Sequence, residues 1–225
     1  MTRFDGKRIF VTSADDFMGP AATGIFDGLG ADIVASTDPL LTKEDCRAAL
    51  AAAGKIDILL VNLAADTHLG TSVLDLPEDG WRQCFDLLVH PLHWLVQAAL
   101  PSMLARRSGK IVVFGSATGL RARALMPAYC AARSAQVGYV RSVGAEVASR
   151  NVQINLIAQN FVENEKYFPA ERVESDAFKA FLAEHVPVGR LAEAREDIAL
   201  AAFLASEHAD FIAGQAIPFS GGWVQ

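Results

Sequence analysis

A hydroxyl, a phenol and a guanidinium stand at fixed spacing in the stretch Ser116 to Arg133, SATGLRARALMPAYCAAR. Ser116 is followed thirteen positions on by Tyr129, and four after that by Arg133. The preceding run Lys110 to Gly115 (KIVVFG) reads as a buried strand, and about Ala128 to Ser149 as a helix. Ser116 then sits at the carboxyl end of a central strand, where open α/β sheets place their chemistry. Tyr129 and Arg133 share one helix face, a turn apart. A free phenol titrates near pH ~10 and is a poor base at neutral pH. A permanent cation one turn away favours the phenolate. Together the three groups can hold a substrate hydroxyl and remove its proton. The plainer reading is a surface tyrosine and arginine on an amphipathic helix. A strand-end serine at matching distance argues against it.

The rest of the chain supplies the elements that must hold these groups. Lys7 to Ser13 reads as the first strand and Phe17 to Leu29 as a helix stopped at Gly28-Leu29-Gly30. Ala31 to Ser36 is a second strand, Lys43 to Ala53 a short helix, and Ile56 to Val61 a buried strand running into Asn62-Leu63-Ala64-Ala65. Pro77 to Arg106 is a long helical stretch with kinks or breaks expected at Pro91 and Pro101. After the Tyr129 helix come a strand (Val152 to Ala158), an irregular aromatic-rich loop (Gln159 to Glu174), helices at Ser175 to Glu184 and Ala194 to Leu204, and a last strand, Gln215 to Phe219. This alternation predicts an α/β fold, a doubly wound parallel sheet flanked by helices. There is no internal repeat and no linker, and 225 residues suit one domain with a full core.

Composition narrows the partners. A formal charge of −6 and a pI of about 5.3 leave no nucleic-acid footprint. No apolar run is expected to span a membrane, and the amino terminus has no signal-peptide plan. Three scattered cysteines, Cys46, Cys84 and Cys130, fit neither a disulfide framework nor a zinc site and suggest a reducing cytoplasm. His90 and His93 lie three apart, but no third ligand accompanies them, so packing or surface roles are expected and no metal.

The first strand and its turn, the Asn62 segment, the serine–tyrosine pair and the Gly221-Gly222 ending resemble the short-chain dehydrogenase/reductase superfamily over almost the whole chain. The resemblance implies one Rossmann-like domain over residues 1–225. Members are usually nicotinamide-dependent oxidoreductases, and three departures argue against that activity. The superfamily turn is Thr-Gly-x-x-x-Gly-x-Gly, its glycines letting a pyrophosphate approach the backbone. Here Thr12-Ser13-Ala14-Asp15-Asp16-Phe17-Met18-Gly19 keeps only the last glycine. The Phe17 ring would fill phosphate space, and Asp15 and Asp16 would repel the dianion. At an effective dielectric of about 20, one such contact at about 4 Å costs about 4 kcal/mol. Next, only Thr37 to Lys55 separate the second and third strands, so the short strand and helix usually found beside the adenosine are missing. Asp38 then reads as a loop residue rather than a ribose-binding acid. Finally, Arg133 stands where dehydrogenases carry lysine, and Leu88 at about the place of their proton-relay asparagine.

These departures resemble one branch, the halohydrin dehalogenases, whose signatures are Thr-x4-Phe/Tyr-x-Gly and Ser-x12-Tyr-x3-Arg. Both occur here, as Thr12…Phe17-Met18-Gly19 and Ser116…Tyr129…Arg133, and His90-Pro91-Leu92-His93 and Asn160-Phe161-Val162-Glu163-Asn164 add similarity to the B type. The resemblance implies reversible conversion of a vicinal haloalcohol to an epoxide plus halide and proton, with small anions opening epoxides in reverse. It implies Ser116, Tyr129 and Arg133 as the catalytic groups and no cofactor. It implies a halide pocket of Phe17, Gln159, Asn160, Phe161 and Val162, in which loop N–H groups form an anion nest. Thr12, Leu120, Met126 and Phe168 would line the substrate pocket. Its partners would be the small-molecule haloalcohol or epoxide and a halide or small anion, with neither nucleic acid nor membrane, in a cytoplasmic homotetramer where Trp223 reaches a neighbouring subunit. Two alternatives stand beside this reading: a nicotinamide-dependent short-chain oxidoreductase with a degenerate cofactor motif, and a non-catalytic family member.

Overall fold

The computed structural model describes residues 2–224. Six strands form one parallel sheet: β1 (Arg8–Val11), β2 (Asp32–Ala35), β3 (Ile58–Asn62), β4 (Gly109–Phe114), β5 (Val152–Gln159) and β6 (Ala216–Phe219). Their spatial order is β2-β1-β3-β4-β5-β6. Eight α-helices alternate with them: α1 (Gly19–Gly28), α2 (Lys43–Ala53), α3 (Glu78–Leu88), α4 (His90–Arg106), α5 (Pro127–Val147), α6 (Ala170–Glu174), α7 (Asp176–His185) and α8 (Ala194–Ala205). This is the expected α/β Rossmann-like domain.

The strands read as continuous apolar runs because both faces are covered. Side chains alternate across the sheet. Phe10, Leu59, Val61, Ile111 and Val113 face a core shared with α2 to α5. Ile9, Val11, Ile58, Leu60, Val112 and Phe114 face the other core, shared with α1 and α8. A third cluster of Phe161, Phe178, Leu182, Val186 and Leu191, with Phe168, Phe181 and Trp223 against it, is built largely by α7 and the loops beside it.

Strand order reverses between β1 and β3, so the switch-point crevice opens at their carboxyl ends, where such sheets bind ligands. Only α2 lies between β2 and β3. Asp38 is exposed in the loop before α2.

Two expectations need correction. The helical stretch breaks at Val89, not at both prolines. Pro91 enters the first turn of α4, where its missing N–H costs little, whereas Pro101 lies exposed inside an unbroken α4. The apolarity of this region was also underestimated. Glu78–Arg106 contains a window of mean hydropathy 1.2, long and apolar enough by length and composition to cross a membrane. Leu88, Leu92, Leu95, Val96 and Met103 of that stretch are nevertheless buried in the protein core.

Candidate active site

β4 ends at Phe114, and Ser116 caps the short turn Ala117–Gly119, its Oγ accepting the Thr118 N–H at 3.2 Å. Ser116 Oγ also lies 2.9 Å from Thr118 Oγ1. Gly119 lets this turn sit directly on α5: a Cβ there would come within 2.7 Å of the Arg133 carbonyl oxygen. The serine turn and the Tyr129–Arg133 turn of α5 are therefore in van der Waals contact through a position that tolerates no side chain.

Arg133 is 1 % exposed. Its Nη1 donates to Gln136 Oε1 (2.9 Å) and the Phe114 carbonyl (3.3 Å), and its Nη2 to the Leu63 carbonyl (3.2 Å). Gln136 in turn donates to the Leu88 carbonyl at 2.7 Å. The guanidinium thus bridges the carboxyl ends of β3 and β4 and lies 5.0 Å from the Tyr129 ring centroid. Burial alone would pull its proton affinity down, but the Tyr129 and Tyr167 phenols oppose this, and it is held above its ordinary value.

Ser116, Thr118 and Tyr129 open into a cavity of about 490 Å³ whose wall includes Phe17, Met126, Gln159, Asn160, Phe161, Val162 and Phe168. The second phenol of the cavity, Tyr167, is tied down. Tyr167 Oη donates to the Ala65 carbonyl at 2.9 Å and accepts the Ala65 N–H at 3.3 Å. Burial, with Tyr129 adding and Arg133 opposing, pushes the Tyr167 phenol well above its usual range. Tyr167 stays a neutral wall residue, edge-on to Phe17 with centroids 5.3 Å apart.

Sequence reasoning missed Tyr167 and Thr118. Tyr167 adjoins Phe168 in the aromatic-rich loop, and Thr118 stands two positions from Ser116; both signals were in view. Thr12 and Leu120, expected in the pocket, are not part of this wall. Thr12 is fully buried, and its Oγ1 donates to the Asn62 carbonyl (2.9 Å) and accepts the Asn62 N–H (2.8 Å), stitching β1 to β3. Leu120 packs against the core beneath α5. The expected anion nest also needs revision. The Asn160 N–H donates to the Phe219 carbonyl and the Phe161 N–H to Asn160 Oδ1, both at 3.0 Å. Beside them the side chain of Gln159, 4 % exposed, has neither Oε1 nor Nε2 partnered. Trp223 stands edge-on to Phe161 and under the Arg121 guanidinium within its own chain. Among the described residues no cluster of histidine, cysteine and carboxylate could hold a metal ion.

Most N–H groups of the turn after β1 are engaged within the protein. The pyrophosphate of a dinucleotide requires free N–H groups there. The N–H groups of Ala14, Asp16 and Gly19 donate to the carbonyls of Ser36, Ser13 and Asp16. Those of Phe17 and Met18 donate to Asp16 Oδ1 (2.7 Å) and Asn62 Oδ1 (3.4 Å), and Pro20 has none. Phe17 occupies a left-handed conformation, φ 52°, and turns into the cavity wall. Asp16, read from sequence as a free negative charge, is paired with Lys166 at 2.5 Å.

A parallel sheet in the order β2-β1-β3-β4-β5-β6, with a serine at the end of β4 and a Tyr-x3-Arg turn on α5, defines a short-chain dehydrogenase/reductase architecture. The chain belongs to that superfamily: residues 6–224 match the family model described as enoyl-(acyl carrier protein) reductase. It is 32% identical to the 3-oxoacyl-(acyl-carrier-protein) reductase FabG of Salmonella typhimurium over 244 residues, 97% of this chain and 98% of the relative. That alignment is longer than the 225-residue chain, as expected where the relative carries residues missing here. It is 30% identical to dehydrogenase/reductase SDR family member 6 of Danio rerio, over 99% of both chains. A solved structure described as a dehalogenation enzyme superposes with a TM-score of 0.90 at 28% identity, covering 98% of this chain and 99% of that one.

Proposed function

We propose that this protein is a cofactor-independent halohydrin dehalogenase. Ser116 and Tyr129 hold the substrate hydroxyl, and Tyr129 takes its proton, the negative charge being stabilised by Arg133. The alkoxide oxygen attacks the neighbouring carbon, the carbon–halogen bond breaks, and halide leaves on the opposite face. The space bounded by Phe17, Gln159 and Tyr167 is available for it. In reverse, a small anion enters from that side, the epoxide C–O bond breaks, and the oxygen recovers a proton from Tyr129. Both reacting groups belong to one molecule, so orientation supplies much of the rate.

The observation that supports this best is the turn after β1, where the N–H groups of Ala14, Asp16, Phe17, Met18 and Gly19 are engaged inside the protein, next to a cavity lined by Ser116 and Tyr129. Such a site removes a proton without a place for a hydride carrier. The test is bromide release from a small vicinal bromoalcohol with no nucleotide present. Tyr129→Phe should lower the rate at least about 10²-fold; undiminished activity in that variant sinks the mechanism. The same reading carries a homotetramer, which light scattering tests.

A second reading, a nicotinamide-dependent reductase, is favoured by the names of the relatives at 30% and 32% identity. It requires the Asp16–Lys166 bridge to open and Phe17 to leave the cavity. Calorimetry with NADH and NADPH separates the two: saturable binding of either supports the reductase.

A further inference from the structure

The cavity that holds Ser116 and Tyr129 carries more positive charge than proton removal uses. Asp66 is its only carboxylate among the described wall residues, against Arg123, Lys166 and Arg172. Lys166 is neutralised by Asp16. Arg123 and Arg172 have no carboxylate partner among the described residues. Both lie over aromatic faces: Arg172 is 5.2 Å from the Phe168 ring centroid and 5.0 Å from that of Phe178, and Arg123 is 5.8 Å from that of Phe181. The Arg172 main contact is a 2.9 Å bond to the Tyr167 carbonyl. Burial and the charge of Arg123 both lower the proton affinity of Arg172, as expected for two like charges held close. Arg172 is exposed and Arg123 half-buried at the cavity wall, and two neighbouring guanidinium groups without a carboxylate partner are relieved by an anion, whose carboxylate form their planar donor forks match.

We propose that Arg123 and Arg172 bind the carboxylate of the substrate, so that the natural substrate class is a vicinal halohydrin or epoxide bearing a carboxylate tail. The proposal rests on the dehalogenase reading for its chemistry and on the arginine pair for its selectivity. It is tested by comparing kcat/KM for bromohydroxybutanoate and its primary amide. The acid should be preferred at least about tenfold, the worth of one charge-assisted hydrogen bond. In Arg123→Gln/Arg172→Met the acid-to-amide ratio should fall towards one; methionine keeps an apolar stem on Phe168 and Phe178. Should the double variant fail to fold, Arg123→Gln alone carries the comparison. Equal kcat/KM for acid and amide in the native protein, or an unchanged ratio in the variants, overturns the proposal. If neither compound releases bromide, the dehalogenase reading fails by itself. Calorimetry with hydroxybutanoate and hydroxybutanamide then decides the arginine pair: tighter binding of the acid, lost in the variant, sustains it, and equal binding ends it.

Discussion

At position 133 a lysine would have to replace three directional bonds with one point charge. The guanidinium reaches Phe114, Leu63 and Gln136 at once because it is a planar fork; an ammonium on a shorter stem reaches fewer. Arg133→Lys should therefore fold less stably, by about 1–3 kcal/mol, as a buried acceptor or two is left unpaired. It should also lose on the order of tenfold or more in kcat for bromide release, because the charge beside Tyr129 is displaced. Stopped-time halide assays and urea melts on the same preparation read both. Gln159 argues the opposite trade. Its carboxamide is buried without a partner among the described residues, which costs stability. Gln159→Leu should raise the unfolding free energy by about 1–3 kcal/mol and weaken inhibition by bromide or azide about tenfold. A variant that is destabilised, with inhibition unchanged, would remove Gln159 from the anion site. The trio was legible from spacing alone, since i and i+4 on a helix and a strand-end serine are local patterns. The state of Gln159 was not, because a missing partner depends on what the fold brings near it.

The element on which the proposed proton chemistry rests is the turn from β1 to α1, and one side chain of β3 holds it. Asn62 Nδ2 donates to the Ser13 and Asp16 carbonyls, both at 2.9 Å, and its Oδ1 accepts the Met18 N–H. Gly19 closes the same turn at a point where a Cβ would fall 2.3 Å from the Ser13 carbonyl oxygen. Asn62→Leu keeps the size but takes one of two donors from each of the Ser13 and Asp16 carbonyls and leaves the Met18 N–H without its partner, so it should cost about 1–3 kcal/mol of stability in denaturant melts. The displaced Phe17 should lower bromide release with it. Loss of neither would show that the turn holds its shape without Asn62. Sequence could place this turn, because a lost glycine pattern is visible. It could not reveal that the Ala14 and Met18 N–H groups are engaged, since their partners, the Ser36 carbonyl and the Asn62 side chain, come from distant stretches of the chain. Elements with local determinants were read closely: α2 begins and ends where expected, with Thr42 and Asp45 forming its capping box. Pro101 misled because an exposed proline costs a helix one backbone bond on its solvent side, which the buried face of α4 outweighs.

For the whole molecule, the cost that no local pattern announces is Asp197. It stands in the first turn of α8, which packs on α1, β4 and β5, and neither carboxylate oxygen has a partner. From sequence it belonged to an ordinary acidic helix start, where a carboxylate is favoured by the helix dipole. Tertiary packing reverses that: burial raises its pKa from the ordinary 3.8 to about 8. The folded protein therefore binds a proton at Asp197 that the unfolded chain has released. For an acid with a raised folded pKa, this contribution to stability is whole below about pH 4, shrinks as pH rises, and is gone above about pH 8. While the two states differ by that proton, unfolding free energy falls by about 1.4 kcal/mol per pH unit. Asp197→Asn keeps the shape and removes the titration. Its stability should be nearly level between about pH 5 and about pH 8, where the native protein loses on the order of 2 kcal/mol or more relative to the variant. Urea melts of both proteins at the two pH values measure the difference directly. Parallel pH dependence would mean that Asp197 is ionised in the folded state and has found a counter-charge or water. Between those pH values the native fold should therefore lose ground to the Asp197→Asn variant as the medium turns alkaline, and the variant's stability optimum should lie at the higher pH.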